Sequence, residues 1–362
     1  MTQQGLWLDK PLWVIDPPDR VSLDAWRSAS GASSLLLWCW DWAVARTPRA
    51  HAPGAPRFGV WPEGDSVGHP PATVVVYLPR SKDRARWLWS QLARSLPPFG
   101  EVVVVGHNRA GIKSVGATLS PAFAMHEKLV SLRHCQVVLA RSPQAEAAVA
   151  PALSRWSVPA SLGGLDVYAY PGVFSASGLD EGTALLLQHL PILTEGRVLD
   201  VGCGAGVLGL TLASRAPALV VDLVDSDAFA VASARETAAA AGLARVRVRP
   251  SDVYSDAEGR YDLIVSNPPF HQGVDTAYEV GERLVREAPR YLRPGGALLV
   301  VCNRFLKIPL WMRETFEEVD ELADDGRYRV LLARSPRPAS TGQGGGDDVW
   351  RATRPSGSGR RA

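Results

Sequence analysis

Two short segments carry residue types that do chemistry only in company. The first, Leu199-Asp200-Val201-Gly202-Cys203-Gly204-Ala205-Gly206, closes an apolar run and opens a helical one. Glycines at alternate positions let the backbone pass close to a ligand and take positive φ, and the helix beyond presents free N–H groups. Gly204, Gly206 and Gly209 also satisfy G-x-G-x-x-G, so a dinucleotide site has to be considered. Asp200 separates the readings. At the carboxyl end of a strand, two residues before the first glycine, its charge repels a pyrophosphate and welcomes a cation. S-adenosylmethionine carries an ammonium and a sulfonium, so the turn suits it on Coulomb grounds. Asp225 ends the next apolar run, where a carboxylate accepts both ribose hydroxyls. Asp252 follows a third run, where it is placed to accept from an adenine amino group. Three acids at successive strand ends lie on one edge of the inferred sheet.

The second segment, Ile264-Val265-Ser266-Asn267-Pro268-Pro269-Phe270-His271, ends a fourth apolar run. A bare Asn-Pro-Pro reads as a turn. Beside a cofactor crevice it does more: the prolines fix two acceptors, the Asn267 side-chain oxygen and the Pro268 carbonyl, and Phe270 adds a flat face. That set suits methyl transfer to a planar, conjugated NH2 group, whose lone pair is delocalised. Two acceptors holding its hydrogens favour a pyramidal nitrogen and stabilise the charge that develops on it. No separate strong base is required, and His271 reads as a surface histidine beside the loop.

The elements that position these segments follow from periodicity. Apolar runs at 196–201, 220–224, 246–249, 261–266 and 297–303 alternate with helical stretches at 207–216, 228–241 and 278–291. Such alternation predicts a parallel sheet with helices on both faces. The chain has 362 residues, 46% of them hydrophobic and 21% charged, which predicts two ordinary globular domains. Laid side by side, the halves show one likeness: Val102 to Ile112 aligns with Val198 to Leu208, each an apolar strand running into a glycine turn. Asp200, Gly204 and Gly206 are matched there by Val104, Asn108 and Ala110, so a duplicated first half has lost the chemistry of its turn. Thr47 to Pro71 reads as a long loop. The stretch from Pro336 is rich in Gly, Ser, Pro and Arg and is expected to be disordered.

Charge is unevenly divided. Residues 1–170 hold 17 Lys and Arg against 12 Asp and Glu, residues 171–335 hold 17 against 23, and the remainder 5 against 2. A basic first half suits contact with a polyanion. The four cysteines form no C-x-x-C pair, which speaks against a zinc ribbon or a disulfide scaffold and for a reducing cytoplasm; no metal-ligand spacing is present. No leader or membrane-spanning pattern stands out, so membrane insertion is not expected.

Asp-Val-Gly-Cys-Gly-Ala-Gly (200–206) with Ser-Asn-Pro-Pro-Phe-His (266–271) resembles the class I methyltransferases that modify exocyclic amines. Pro171-Gly-Val-Phe-Ser, Gly178-Leu-Asp-Glu-Gly-Thr and Gly326-Arg-Tyr-Arg-Val narrow the likeness to the bacterial ribosomal RNA guanine-N2 methyltransferases of the small-subunit methyltransferase C group, with the G type for large-subunit RNA a close relative. The resemblance covers about residues 72–334 and includes Val105-Gly-His-Asn-Arg-Ala-Gly-Ile-Lys-Ser. It implies an α/β fold of two tandem Rossmann-like domains: residues 1–158 a degenerate copy serving RNA binding or folding, residues 159–335 catalytic, residues 336–362 a tail. It implies cofactor contacts from the turn with Asp200, Gly202, Gly204 and Gly206, from Asp225 and Asp252, and from Asp180 and Thr183. Target contacts fall to Asn267, Pro268, Pro269 and Phe270, with Phe174 shaping the pocket. Ribosomal RNA or the small ribosomal particle is the implied partner. The tryptophan-rich residues 1–70 receive no role from it. Methylation of another planar amine, a noncatalytic RNA-binding factor and a nicotinamide oxidoreductase are the competing readings. Asp200 and Asn-Pro-Pro-Phe disfavour the last.

Overall fold

Valine-rich runs such as Val74–Val76 and Val102–Val104 are wholly buried, as expected of parallel strands covered on both faces. The computed structural model describes residues 11–29, 35–46, 55–61, 71–146, 153–268 and 274–338. Its first sheet is built from β1 (Leu12–Ile15), β2 (Leu35–Cys39), β3 (Arg57–Phe58), β4 (Thr73–Tyr77), β5 (Glu101–His107), β6 (Phe123–Leu132) and β7 (Cys135–Pro143), in the order β3-β2-β1-β4-β5-β7-β6. The short β3 lies within the stretch expected to be a loop, where it pairs with the end of β2. An antiparallel hairpin, β8 (Ser154–Ser157) and β9 (Asp166–Ala169), follows. The second sheet takes β10 (Arg197–Val201), β11 (Val220–Asp225), β12 (Val246–Pro250), β13 (Tyr261–Ser266), β14 (Leu292–Asn303), β15 (Phe316–Asp324) and β16 (Tyr328–Pro336) in the order β12-β11-β10-β13-β14-β16-β15, the same topology. At one edge of each sheet the order ends in antiparallel pairings, β5 with β7 with β6 and β14 with β16 with β15. The 339–362 part of the expected tail lies outside the described residues.

The helices are α1 (Arg20–Ala29), α2 (Trp42–Ala45), α3 (Lys82–Ser95), α4 (Gly116–Leu119), α5 (Glu181–Gln188), α6 (Val207–Arg215), α7 (Ala228–Ala240), α8 (Val274–Glu287) and α9 (Ile308–Thr315). Asp41, Ser81, Asp180 and Asp227 cap α2, α3, α5 and α7 with their side chains, which satisfies N–H groups that a helix start leaves free. The hairpin packs on α7, where Tyr168 N and Tyr170 N donate to Thr237 and Ser233 hydroxyls. The boundary expected at 158/159 therefore falls inside a hairpin attached to the second half.

The duplication is present, but in a different register from the one read in the sequence. By strand order β1, not β5, is the counterpart of β10; β5 corresponds to β14. Asp16 N donates to Trp38 O as Gly202 N donates to Val224 O, so Trp40 stands where the second half has Ser226. Tryptophans pack this half: Trp38 and Trp40 donate their indole N–H to Gly59 O and Val60 O, and Trp61 meets Trp13 and Trp87 edge-on. That gives the tryptophans at 13, 38, 40 and 61 the packing role that the sequence left open.

The two halves meet through equivalent turns. Trp42 N donates to Ser226 O and Ala228 N to Trp40 O, both at 2.8 Å, and Asp41 and Asp227 form an antiparallel bridge. These reciprocal bonds make an approximate two-fold axis between the β2–α2 and β11–α7 turns. Trp40 and Trp87 pack edge-on against Phe229, 5.0 and 5.2 Å between ring centres, and one hydrophobic core runs through both domains.

Candidate active site

At the carboxyl edge of the second sheet the turns after β10, β11, β12 and β13 enclose a cavity of about 320 Å³, at the lower end of the usual range for small-molecule sites. Gly202 (φ +69°) and Gly204 (φ +55°) form part of its wall, and a Cβ on either would project into open space. Asp225 lines it; the carboxylate accepts from Gly204 N and Asp227 N at 2.9 Å each. Burial, with the charge of Asp227 adding to it, pushes the Asp225 carboxyl up from 3.8 to about 6. Asp252 also lines the cavity, with both its oxygens within 3.0 Å of Arg283 Nη1, so any contact with a base would be shared with that guanidinium. Val253 and Leu284 supply an apolar wall.

Two residues of the glycine turn sit elsewhere. Asp200 is 1% exposed and does not line the cavity. Its Oδ2 turns beneath the turn to accept from Gly209 N at 2.9 Å, because the first turn of α6 offers an unbonded N–H. Burial raises this carboxyl to about 7. The acids that line the cavity are thus Asp225, Asp227 and Asp252, not Asp200. Gly206 begins α6 at φ +88°, where a Cβ would come within 2.7 Å of the Leu210 side chain; packing, not ligand approach, requires glycine there.

Asn267 lies at the end of β13, on the cavity and on a smaller recess of about 30 Å³ beside it. Its Nδ2 donates to Asp180 Oδ2 at 3.1 Å and to Thr183 Oγ1 at 2.9 Å. Asp180 and Thr183 line the recess, yet their polar atoms are turned to Asn267 and to the cap of α5. With the amide nitrogen held, the buried Asn267 Oδ1 has no partner within the protein. Such an atom is costly unless something completes it. Pro268 lines the cavity beside it, and Phe174, 49% exposed, stands at the mouth. Pro269, Phe270 and His271 lie outside the described residues.

Sequence reasoning gave no site role to Arg283, which reaches Asp252 across 31 positions, or to Ser226 and Gly172, which line the cavity. A side-chain-free wall, a carboxylate between two main-chain donors and an apolar side fit S-adenosylmethionine. Were it bound here, Gly202 and Gly204 would leave room for its chain, Asp225 would offer an acceptor to its hydroxyls, and Val253 and Leu284 would give an apolar surface for its base. Fold and site together define a class I methyltransferase dependent on S-adenosylmethionine.

Comparison with known proteins agrees. Residues 164–332 match the methyltransferase small domain and residues 22–157 its N-terminal domain. The chain is 41% identical over 307 residues to ribosomal RNA small subunit methyltransferase C of Pseudomonas paraeruginosa, covering 83% of this chain and 89% of that one. It is 40% identical over 270 residues to the protein of that name from Salmonella paratyphi B, covering 74% and 77%. A solved structure from T. thermophilus, a 16S rRNA N2 G1207 methyltransferase in complex with AdoMet and guanosine, superposes with a TM-score of 0.75 at 26% identity, over 89% of this chain and 88% of that one. The chain belongs to the ribosomal RNA small subunit methyltransferase C family.

Proposed function

We propose that this protein methylates the exocyclic N2 amine of a guanine in small-subunit ribosomal RNA. The observation that carries the chemistry is the Asn267 amide, anchored through its nitrogen by Asp180 and Thr183 with its oxygen left as a buried, unpartnered acceptor at the cavity. An exocyclic NH2 brings the missing donor. Asn267 Oδ1 takes one hydrogen and the Pro268 carbonyl the other, which turns the lone pair out of conjugation and stabilises positive charge on nitrogen. When bound, S-adenosylmethionine supplies a methyl carbon whose bond to sulfur breaks as the bond to nitrogen forms, leaving a neutral thioether. The nitrogen then loses its proton to solvent, so the chain needs no strong base. Phe270 is the stacking face for the target base, and Phe174 shapes the mouth.

Guanine and small-subunit RNA are supported by the T. thermophilus protein and the curated relatives. The first domain serves as the RNA-contacting module. Arg109, Lys113 and Arg133 are exposed around the carboxyl end of β5 and the β6–β7 turn, a cationic region of the kind that neutralises phosphates. Among the described residues no helix is long and apolar enough to cross a membrane, and action on ribosomal RNA in the cytoplasm is consistent with that. Mass mapping of modified nucleosides in ribosomal RNA from cells with and without the gene tests the reading. Loss of one N2-methylguanosine from small-subunit RNA is expected. A missing mark on a ring nitrogen, a ribose oxygen or a protein amide overturns it.

A further inference from the structure

All the expected cofactor residues lie beyond position 170, which leads one to expect that the second domain is sufficient for cofactor binding. The interface between the domains points the other way. Arg84, on α3 of the first domain, reaches across with its side chain 14% exposed. Its Nη2 donates to Asp227 Oδ2 at 2.6 Å and to Gly172 O at 3.2 Å, and its guanidinium lies 4.1 Å from the centre of the Phe229 ring. Gly172 and Asp227 both line the cofactor cavity. Asp227 N in turn donates to Asp225 Oδ1. One arginine from the other domain therefore ties together two parts of the cavity wall, and the second of them carries the ribose carboxylate.

We propose that Arg84 is a positioning residue for the cofactor: the first domain holds the 225–227 turn in its binding geometry and offsets the charge of Asp227 beside Asp225. Without a cation there, two carboxylates two residues apart repel each other in a buried setting, while across the interface the turn keeps its main-chain bonds to Trp40 and Trp42. The close approach is specific. A Cβ on Gly172, which has φ +79°, would lie 2.7 Å from Ser81 Oγ and 3.2 Å from Arg84 Cβ, so the wall segment and α3 are in direct contact at this point. The proposal rests on the cofactor pocket and is independent of which base is methylated.

The test is calorimetric titration of the full-length protein with S-adenosylmethionine, alongside steady-state methylation. Arg84→Met is expected to raise the cofactor Kd about tenfold or more, with KM for the cofactor rising in parallel and kcat at saturating cofactor nearly unchanged. Arg84→Lys keeps a cation for Asp227 and is expected to stay within about threefold of the parent. Leu23→Ala, a buried residue on the far face of the first sheet, serves as the control for stability alone. It is expected to lower Tm without moving Kd. A folded Arg84→Met protein with unchanged Kd overturns the proposal, as does a Leu23→Ala protein that loses affinity to the same degree, or a loss in Arg84→Lys as large as in Arg84→Met. In the Asp227→Asn background, Arg84→Met should add little further loss; fully additive losses would also count against the coupling.

Discussion

In the proposed reaction, methyl transfer depends most on the orientation of the Asn267 amide. Both bonds to its nitrogen point one way. If the amide flips, Oδ1 faces the Asp180 carboxylate and the NH2 faces the incoming amine, donor against donor. Thr183→Val removes a neutral acceptor worth about 1 kcal/mol, so the rate should fall about fivefold. Asp180→Ala removes a charged acceptor worth about 1.5–3 kcal/mol, so the fall should be about 10- to 150-fold. It also removes the cap of α5, which lowers stability by about 1 kcal/mol; Asp180→Asn keeps the cap and an acceptor and should show a smaller fall. Asn267→Ala deletes the acceptor itself and should cost about 100- to 1,000-fold. Single-turnover transfer of labelled methyl at saturating cofactor and RNA measures these rates, and calorimetry measures cofactor affinity in parallel. Slower chemistry with little change in affinity is expected. If the Thr183 and Asp180 variants instead bind S-adenosylmethionine poorly and transfer at the parental rate, they are cofactor contacts and not the support of Asn267. Near-normal turnover in Asn267→Ala removes that residue from the mechanism.

Cofactor affinity should decline as pH falls through about 6, because the raised Asp225 carboxyl then protonates and stops accepting from the ribose; titrations between pH 5 and 8 on the parent and Asp225→Asn check this, and a flat parental profile refutes it. Stability should run the other way: Asp16 and Asp200, raised to about 7, and Asp225, raised to about 6, bind protons more readily folded than unfolded, so their ionisation as pH rises from about 4 to 7 costs stability. Asp200→Asn should flatten that slope in Tm measured across the same range, and an unchanged slope would remove Asp200 from it. Reversing Arg109 and Lys113 to Glu should weaken ribosomal RNA binding and reduce its salt dependence by about two phosphate contacts at most, with cofactor affinity intact; an unaltered salt slope counts against them as RNA contacts. Gly206→Val should destabilise the fold through a clash with Leu210 and Leu223, seen as a lower Tm, and a fully stable variant would show that the turn has room.

The second domain was legible because its signals are local. Glycines, strand ends and acids fall within one β-α-β-α-β run, and the structure puts Gly202, Gly204, Asp225, Asp252, Asn267 and Pro268 around one cavity. What the sequence hid acts over distance. Asn267 meets Thr183 and Asp180 across 84 and 87 positions, and Arg84 meets Asp227 across 143. The register of the duplication was misread for a physical reason. β1 is four residues long and runs into Asp16-Pro17-Pro18 with no glycine, whereas β5 is a valine run containing Gly106. That glycine is there for packing: a Cβ on it would come within 3.1 Å of Ile112 and Leu78. A similar string of residues thus arose from a different structural need. Asp200 shows the same limit, since a strand-end carboxylate can face a ligand or an adjacent helix N–H, and only the fold decides which.

The approximate two-fold axis between the Asp41 and Asp227 turns has a bearing on how such a molecule tolerates change. In a pair of identical chains meeting through these turns, a tryptophan at the position of Ser226 would appear on both sides at once. Joined in one chain, the two faces of the contact vary separately. Trp40 can pack in the core and brace Phe229 while Ser226 lines an open cavity, and Arg84 can answer Asp227 without an equivalent cation being needed on the opposite side. Covalent linkage thus frees each half from having to be its own partner.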